Sequence, residues 1–194
     1  MSTPDGWRER LESDRERKDE FLAEHPRSPV PPAARDEFEQ HYFPPDPDLR
    51  FELELDEHDE KETLTIATTT EGEREYMRWG EFAVEVDGEP VTLQAYKADP
   101  DEDRLWVPFR DETNGEETYG GGRYLDLEAD EHRAGDTWVL DLNRAYNPYC
   151  AYSDAYECPM VPMENWLDVR VEAGEKQPTI PAGHAHEGAH EHGH

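Results

Sequence analysis

The hydrophobic pattern changes period near Leu49, and that change divides the chain into a helical start and a β-rich remainder. From Pro4 to Glu24, Trp7, Leu11, Lys18, Phe21 and Leu22 form a thin edge on an otherwise charged segment, which predicts a helix capped by Thr3 or Asp5. The prolines of His25–Arg35 end it, and a short helical turn is expected over Arg35–Gln40 before Tyr42-Phe43-Pro44-Pro45 leads into the first strand. Beyond Leu49 the alternation is of period two, at Phe51–Leu55, Thr63–Thr69, Phe82–Val86, Val91–Tyr96, Leu105–Phe109, Gly122–Leu127, Trp138–Leu142 and Trp166–Val171. Asp87-Gly88 between two of these runs is a hairpin signal, because both residues of a tight primed turn need positive φ.

About eight strands with no amphipathic crossover helices between them predict a mainly β fold, a single antiparallel β-barrel or β-sandwich. The N-terminal helix is expected to pack on the sheet. The expected organisation is a helical segment over residues 1–40, a β domain over 41–176 and a disordered, His-rich tail over 177–194.

Composition changes this picture in one respect. Apolar residues make up 34% of the chain, and 49 acids face 19 bases for a formal charge of −30, a balance that by itself suggests disorder. The alternating core pattern argues instead for a folded protein with an acidic surface of the kind suited to high salt, where ions screen self-repulsion. Such a surface has no basic patch for phosphates, so neither nucleic acid nor an anionic membrane is expected as partner. With no long apolar span and no hydrophobic leader at the start, a cytoplasmic location is expected, with Cys150 and Cys158 as thiols or ligands rather than a disulfide.

Candidate chemistry is concentrated in three runs, Pro108–Leu125, Asp141–Tyr152 and Cys158–Leu167. Gly120-Gly121-Gly122 in a strand context suggests a bulge or a close backbone approach, and Arg123 beside it can hold an anion or pair internally with Asp141 or Glu164. Asn143, Tyr146 and Asn147 need a dense hydrogen-bond network if buried, either a rigid corner or the lining of a polar pocket. Cys150 and Cys158, seven residues apart, read as buried thiols, as a nucleophile if a base such as His41 is near, or as two ligands of an incomplete metal site. Glu164 and Glu175 are candidate general bases or salt-bridge partners. In the tail, His184, His186, His190, His192 and His194 can bind a transition metal (Zn, Ni or Cu) without preset geometry.

Pro108-Phe109, Asp111, Thr113, Gly115, Thr118-Tyr119 and Gly122-Arg123-Tyr124-Leu125, with Asp141, Asn143, Ala145-Tyr146-Asn147-Pro148, Cys150-Ala151-Tyr152, Cys158-Pro159, Pro162, Glu164-Asn165 and Ala173-Gly174-Glu175, also carry a family resemblance. The chain resembles the bacterial and archaeal domain-of-unknown-function family numbered 1684. Leu142 stands where an aromatic is usual and Val161 where a proline is usual. The resemblance implies a shared fold and a shared site, and brings no activity with it.

The expectation from sequence is a pocket for a small, anionic molecule. Arg123 would bind the anion, with Tyr119, Tyr124, Asn143, Tyr146 and Asn147 orienting it. Cys150 or Glu164 would be the reactive group if the pocket is catalytic, with hydrolysis or acyl transfer expected first. A metal-binding module using the cysteines or the tail, and a structural or interaction domain without a pocket, are the alternatives.

Overall fold

The computed structural model describes residues 3–180. Helix α1 spans Trp7–Glu24 and starts from Gly6 (φ 78°) without a side-chain cap, so neither Thr3 nor Asp5 has the expected role. It stops at His25, whose extended conformation (ψ 139°) is the one a following proline favours. The strands are β1 (Arg50–Glu54), β2 (Asp56–Ala67), β3 (Glu73–Val86), β4 (Glu89–Lys97), β5 (Arg104–Phe109) and β6 (Arg123–Glu128). A helical turn, α2 (Ala129–His132), precedes β7 (Arg133–Ala134) and β8 (Thr137–Asp141). None of the described helices is long and apolar enough to cross a membrane.

All pairings between these strands are antiparallel. They form a five-stranded sheet in the order β2-β3-β4-β5-β6 and a three-stranded sheet in the order β1-β8-β7. β2 and β6 are the edges of the larger sheet, which is therefore open. The β3–β4 turn has Asp87 at φ 55° and Gly88 at φ 81°, the primed geometry that the Asp-Gly pair predicts.

The sequence pattern departs from the structure in five places, the first being the start of β3, at Glu73 rather than Phe82. β2 begins at Asp56, well before Thr63, because DEHDEKE is mostly exposed and a strand with little burial shows no apolar alternation. Trp166–Val171 is no strand, although Val169 and Val171 are core residues. Its backbone follows Arg110–Glu112 through mixed partners: Leu167 N–H donates to Arg110 O, Glu112 N–H to Val169 O, and Val171 N–H to the Asp111 carboxylate. The helical turn expected at Arg35–Gln40 is a 3₁₀ turn at Pro32–Ala34, followed by a bridge from Glu39 to Thr179. That bridge, with Ile180 buried at 8%, keeps the chain packed past residue 176, so the expected tail boundary is too early. Residues 181–194 lie outside the described residues.

Period-two alternation gives the large sheet two unlike faces. Phe82, Val84, Leu93, Ala95, Leu105, Val107, Phe109, Leu125 and Leu127 point to one side, where they share a core with Leu140 of the small sheet and with Leu142 just after it. On the other side, Ile66, Tyr96, Trp106 and Tyr124 form a second cluster with Val161, against which Tyr76 and Tyr146 pack. The segment Asp141–Pro162 covers that aromatic face, and α1 lies against this segment rather than directly on the sheet. Trp7 Nε1–H donates to Asp141 (2.7 Å), Arg15 to Asn143 O (3.3 Å), and Leu22 packs with Ala151 and Tyr152.

Candidate functional site

Arg123 and Tyr124 are adjacent in β6, so their side chains emerge on opposite faces. Arg123 is fully buried on the aliphatic side. Its guanidinium donates to Asp111 Oδ1 (3.3 Å), Val171 O (2.9 Å), Ala173 O and Glu175 O (3.4 Å), and it lies over the Phe109 ring. Asp111, equally buried, also accepts from Thr113 Oγ1 (2.8 Å) and Val171 N–H (2.7 Å). Burial lowers the Arg123 pKa and the Asp111 carboxylate opposes that shift. The ligand contact expected of Arg123 is thus replaced by an internal ion pair, with Asp111 rather than Asp141 or Glu164 as its partner. Gly122 allows this packing, since at φ 95° a Cβ there would sit 2.7 Å from Phe109 O.

Three other expected site residues are also committed to structure. Asn143 accepts from Asp46 N–H (2.8 Å) and donates to Asp46 O (2.8 Å) and Asp141 (2.8 Å), which ties the entry of β1 to the exit of β8. Asn147 is fully buried; its N–H donates to Glu175 (2.8 Å) and its amide to Lys176 O (3.0 Å). Glu164 accepts from Tyr96 and pairs with Arg78 (3.3 Å), away from the cysteines. These are the corners of the fold.

Tyr124 and Tyr146 occupy a different setting. Backbone bonds pair them with each other (both 2.9 Å), and their rings meet edge to face at 5.9 Å. The row continues through Trp106, 5.2 Å from Tyr124, to Tyr76, stacked on Trp106 at 4.5 Å. Tyr124 donates to Pro159 O and Tyr146 to Asp126 (2.5 Å). Burial pushes both phenols well above their ordinary pKa, and Asp126 adds to the effect at Tyr146. These two rings, with Tyr149, Tyr156, Phe21, Leu22 and Cys158, wall a cavity of about 550 Å³ between α1 and the sheet. Lys18 and Arg74 bring positive charge to it, Asp126 and Glu157 negative charge. A smaller cavity of about 200 Å³ shares Lys18 and Tyr146, and is lined also by Arg15, Arg144 and the Asn143 segment. Lys18 pairs with Glu175 and lies 5.3 Å from the Tyr146 ring centre, at the junction of the two cavities.

The two thiols stand at the edge of this space. Tyr119 Oη lies 3.3 Å from Cys150 Sγ, and the Cys158 N–H donates to Thr69 Oγ1 (3.1 Å). Cys150 lies in a 3₁₀ helix at Tyr149–Ala151. Interaction with the neighbouring Cys150 thiol holds the Cys158 pKa below the ordinary thiol value, and the same interaction, with burial, pushes Cys150 up. Sequence reasoning had favoured Cys150 as the reactive thiol, whereas Cys158 is the one that lines the cavity.

His41, the base considered for a Cys–His dyad, bonds Thr179 Oγ1 (2.8 Å). His25 lies against Phe21, His58 bonds Gln94 and His132 bonds the Glu128 N–H. Among the described residues, no three His, Cys, Asp or Glu side chains converge on a metal-binding position. His184, His186, His190, His192 and His194 lie outside the described residues.

Sequence reasoning missed Lys18, Arg74, Tyr149, Tyr156 and Cys158 as cavity residues. Lys18 carried a faint signal, a lysine on the apolar edge of an acidic helix. Arg74 carried none, because only the β2–β3 pairing brings it near Glu157.

Comparison with known proteins places the chain. The solution NMR structure of an uncharacterised protein from Haloarcula marismortui is similar at 42% identity and a TM-score of 0.67, over 88% of this chain and 94% of that one. None of the curated proteins matches. The model of a protein family of unknown function, DUF1684, matches residues 37–176, a span that contains both sheets and the covering segment. The chain belongs to the DUF1684 family.

Proposed function

We propose that the protein binds a small anionic molecule with a flat or apolar body in the tyrosine-walled cleft between α1 and the aromatic face of the large sheet. The observation that carries this reading is the convergence of Lys18, Arg74, Arg15 and Arg144 on two cavities that share Lys18 and Tyr146, in a chain with 49 acids and 19 bases. Where acids so outnumber bases, a cleft that gathers several cations is a place where an anion meets reduced repulsion. Lys18 donates to Glu175 and Arg74 to Glu157 O (3.2 Å), and each cation has further N–H groups for a carboxylate, sulfonate or phosphate oxygen. The rings of Tyr124, Tyr146, Tyr149 and Tyr156 supply faces for the body of the ligand. Acyl transfer receives less support than binding, because each described histidine has partners away from the thiols.

An aromatic sulfonate, 8-anilinonaphthalene-1-sulfonate, tests this in native protein at high salt. One saturable site is expected, and Arg74→Met should weaken it by roughly 10–100-fold, the range for a lost charge-assisted hydrogen bond. Arg110→Met, outside the cleft, should leave it unchanged. Equal affinity in wild type and Arg74→Met would overturn the proposal.

A further inference from the structure

We propose that the aliphatic core opens at one end into a second binding site, which takes a free α-amino acid with an apolar side chain. Lys97 receives the carboxylate, Glu54 the ammonium, and Trp79 and Trp138 the side chain. The site shares no lining residue with the cleft of the anion-binding reading and does not depend on it.

The opening lies where the inward rows of several strands end. On β4, Leu93 and Ala95 point into the core, and Lys97 is the next residue of that row. The row of β5 starts at Leu105, and that of β8 at Trp138. β3 adds Trp79 through an irregularity. Trp79 and Phe82 are three positions apart yet both pack on the aliphatic core, which an unbroken pleat does not allow. The pairing with β4 passes from Arg78–Tyr96 to Gly80–Ala95 and skips Trp79, so a bulge turns the indole inward. Leu55, where the chain crosses from β1 to β2, closes one side. Gly80 makes room for that crossing, since a Cβ there would lie 2.8 Å from Leu55 Cγ. The result is a cavity of about 290 Å³, with Leu55, Leu105 and the two indoles as apolar walls and charged side chains around them. That volume is at the small end for ligand sites and suits a molecule of amino-acid size.

The charges in the lining decide the class of ligand. Glu57 is paired with Lys61 (3.7 Å) and Asp136 with Arg133 (4.0 Å). Among the described residues, Lys97 and Glu54 are the lining charges without an ionic partner. Lys97 is half-buried, and its ammonium lies 4.2 Å from the centre of the Trp79 ring. The ring fixes its position and leaves its N–H groups for an oxygen acceptor. A lining that leaves one cation and one carboxylate unmatched complements a molecule carrying both signs. A simple anion would face three carboxylates here in a chain of charge −30. A zwitterion adds no net charge and escapes that repulsion. Its apolar side chain fills the space beside the two indoles, where ring contacts add to burial.

The test follows the indole N–H signals of the isotope-labelled full chain by NMR at high salt, as phenylalanine or leucine is added. The chain has five tryptophans, and replacing Trp79 or Trp138 with Phe assigns the two signals that matter. Both should shift saturably, while Trp106, on the aromatic face of the sheet, should not move. Phenylalaninamide lacks the carboxylate and phenylpropionate lacks the ammonium. Each should bind roughly tenfold more weakly or worse, the range for a lost charged hydrogen bond. Lys97→Met should bind phenylalanine and its amide about equally, and Glu54→Gln should bind phenylalanine and phenylpropionate about equally. General loosening of the fold would not erase one preference and keep the other. The proposal is overturned if neither amino acid shifts both signals, if the shifts fall on Trp106 instead, or if wild type binds the amide as well as the amino acid. Lys97→Met should bind the sulfonate of the cleft as wild type does, so the failure of either reading leaves the other standing.

Discussion

The two faces of the five-stranded sheet solve the same packing problem with different materials. The inner face is aliphatic and holds one charged pair, Arg123 and Asp111, completely enclosed by carbonyls and rings. The outer face is built from phenols and an indole; Tyr96, Tyr124 and Tyr146 each donate to one partner, while the rings of Tyr124 and Tyr146 remain available at a cavity wall. A buried ion pair is costly to break and offers nothing to a ligand. Phenols bury most of their area and keep a polar edge, so a site can be built from them without a large cost to the core. Residues only one position apart, Arg123 and Tyr124, thus serve stability and recognition separately.

The largest effect expected from this difference is alkaline unfolding. Tyr96 and Tyr124 on the outer face and Tyr152 under α1 are buried, and burial raises each phenol's pKa in the folded state. A raised folded pKa means that the stabilisation is complete below the unfolded value of about 10 and is lost as pH rises, because the unfolded chain then releases protons that the folded one retains. Three such groups give a slope of about 4 kcal/mol per pH unit above pH 10, enough to unfold a domain of ordinary stability within a few units. Far-UV circular dichroism against pH checks it. Replacing Tyr96 and Tyr124 with Phe should flatten the slope, whereas a change on the inner face should lower stability at every pH and leave the slope intact.

That inner-face change is Arg123→Met, expected to cost about 3–5 kcal/mol because the Asp111 carboxylate is left buried without its cation. Urea denaturation measures the loss. Adding Asp111→Asn should recover part of it, since the stranded charge is then gone. Sulfonate binding, measured under conditions where the variant stays folded, should be unchanged; a parallel loss of affinity would mean that the two faces are not independent.

How far all this could be read from the sequence follows from the same division. The later part of β3, with β4 to β6 and β8, shows its apolar pattern plainly, and Asp87-Gly88 marks its turn by chemistry alone. The first part of β2 was not legible, because DEHDEKE buries little on either side. The three polar runs do come together, as their crowded amides and phenols implied. What one-dimensional reading could not do was assign them to faces: Arg123 beside three glycines looks like an anion site until β6 turns it inward toward Asp111. The amides proved to be corners because each completes backbone bonds, as Asn165 does with Gln94 and Pro108. Three of the four cleft cations, Arg15, Lys18 and Arg74, come from α1 and β3, far from the runs in sequence, and only tertiary contact selects Lys18 among four lysines.

The smallest expected effect is also the finest probe of the outer face. Tyr124→Phe keeps the ring against Trp106 and Tyr146 and removes only the hydroxyl that donates to Pro159 O. The loss should be about 1–2 kcal/mol, the net worth of one hydrogen bond with the cost of leaving its buried acceptor unpaired. If the ring face is what a ligand meets, sulfonate affinity should stay within about twofold of wild type, well inside 1 kcal/mol. A large drop in affinity with little loss of stability would instead make the hydroxyl itself a ligand contact.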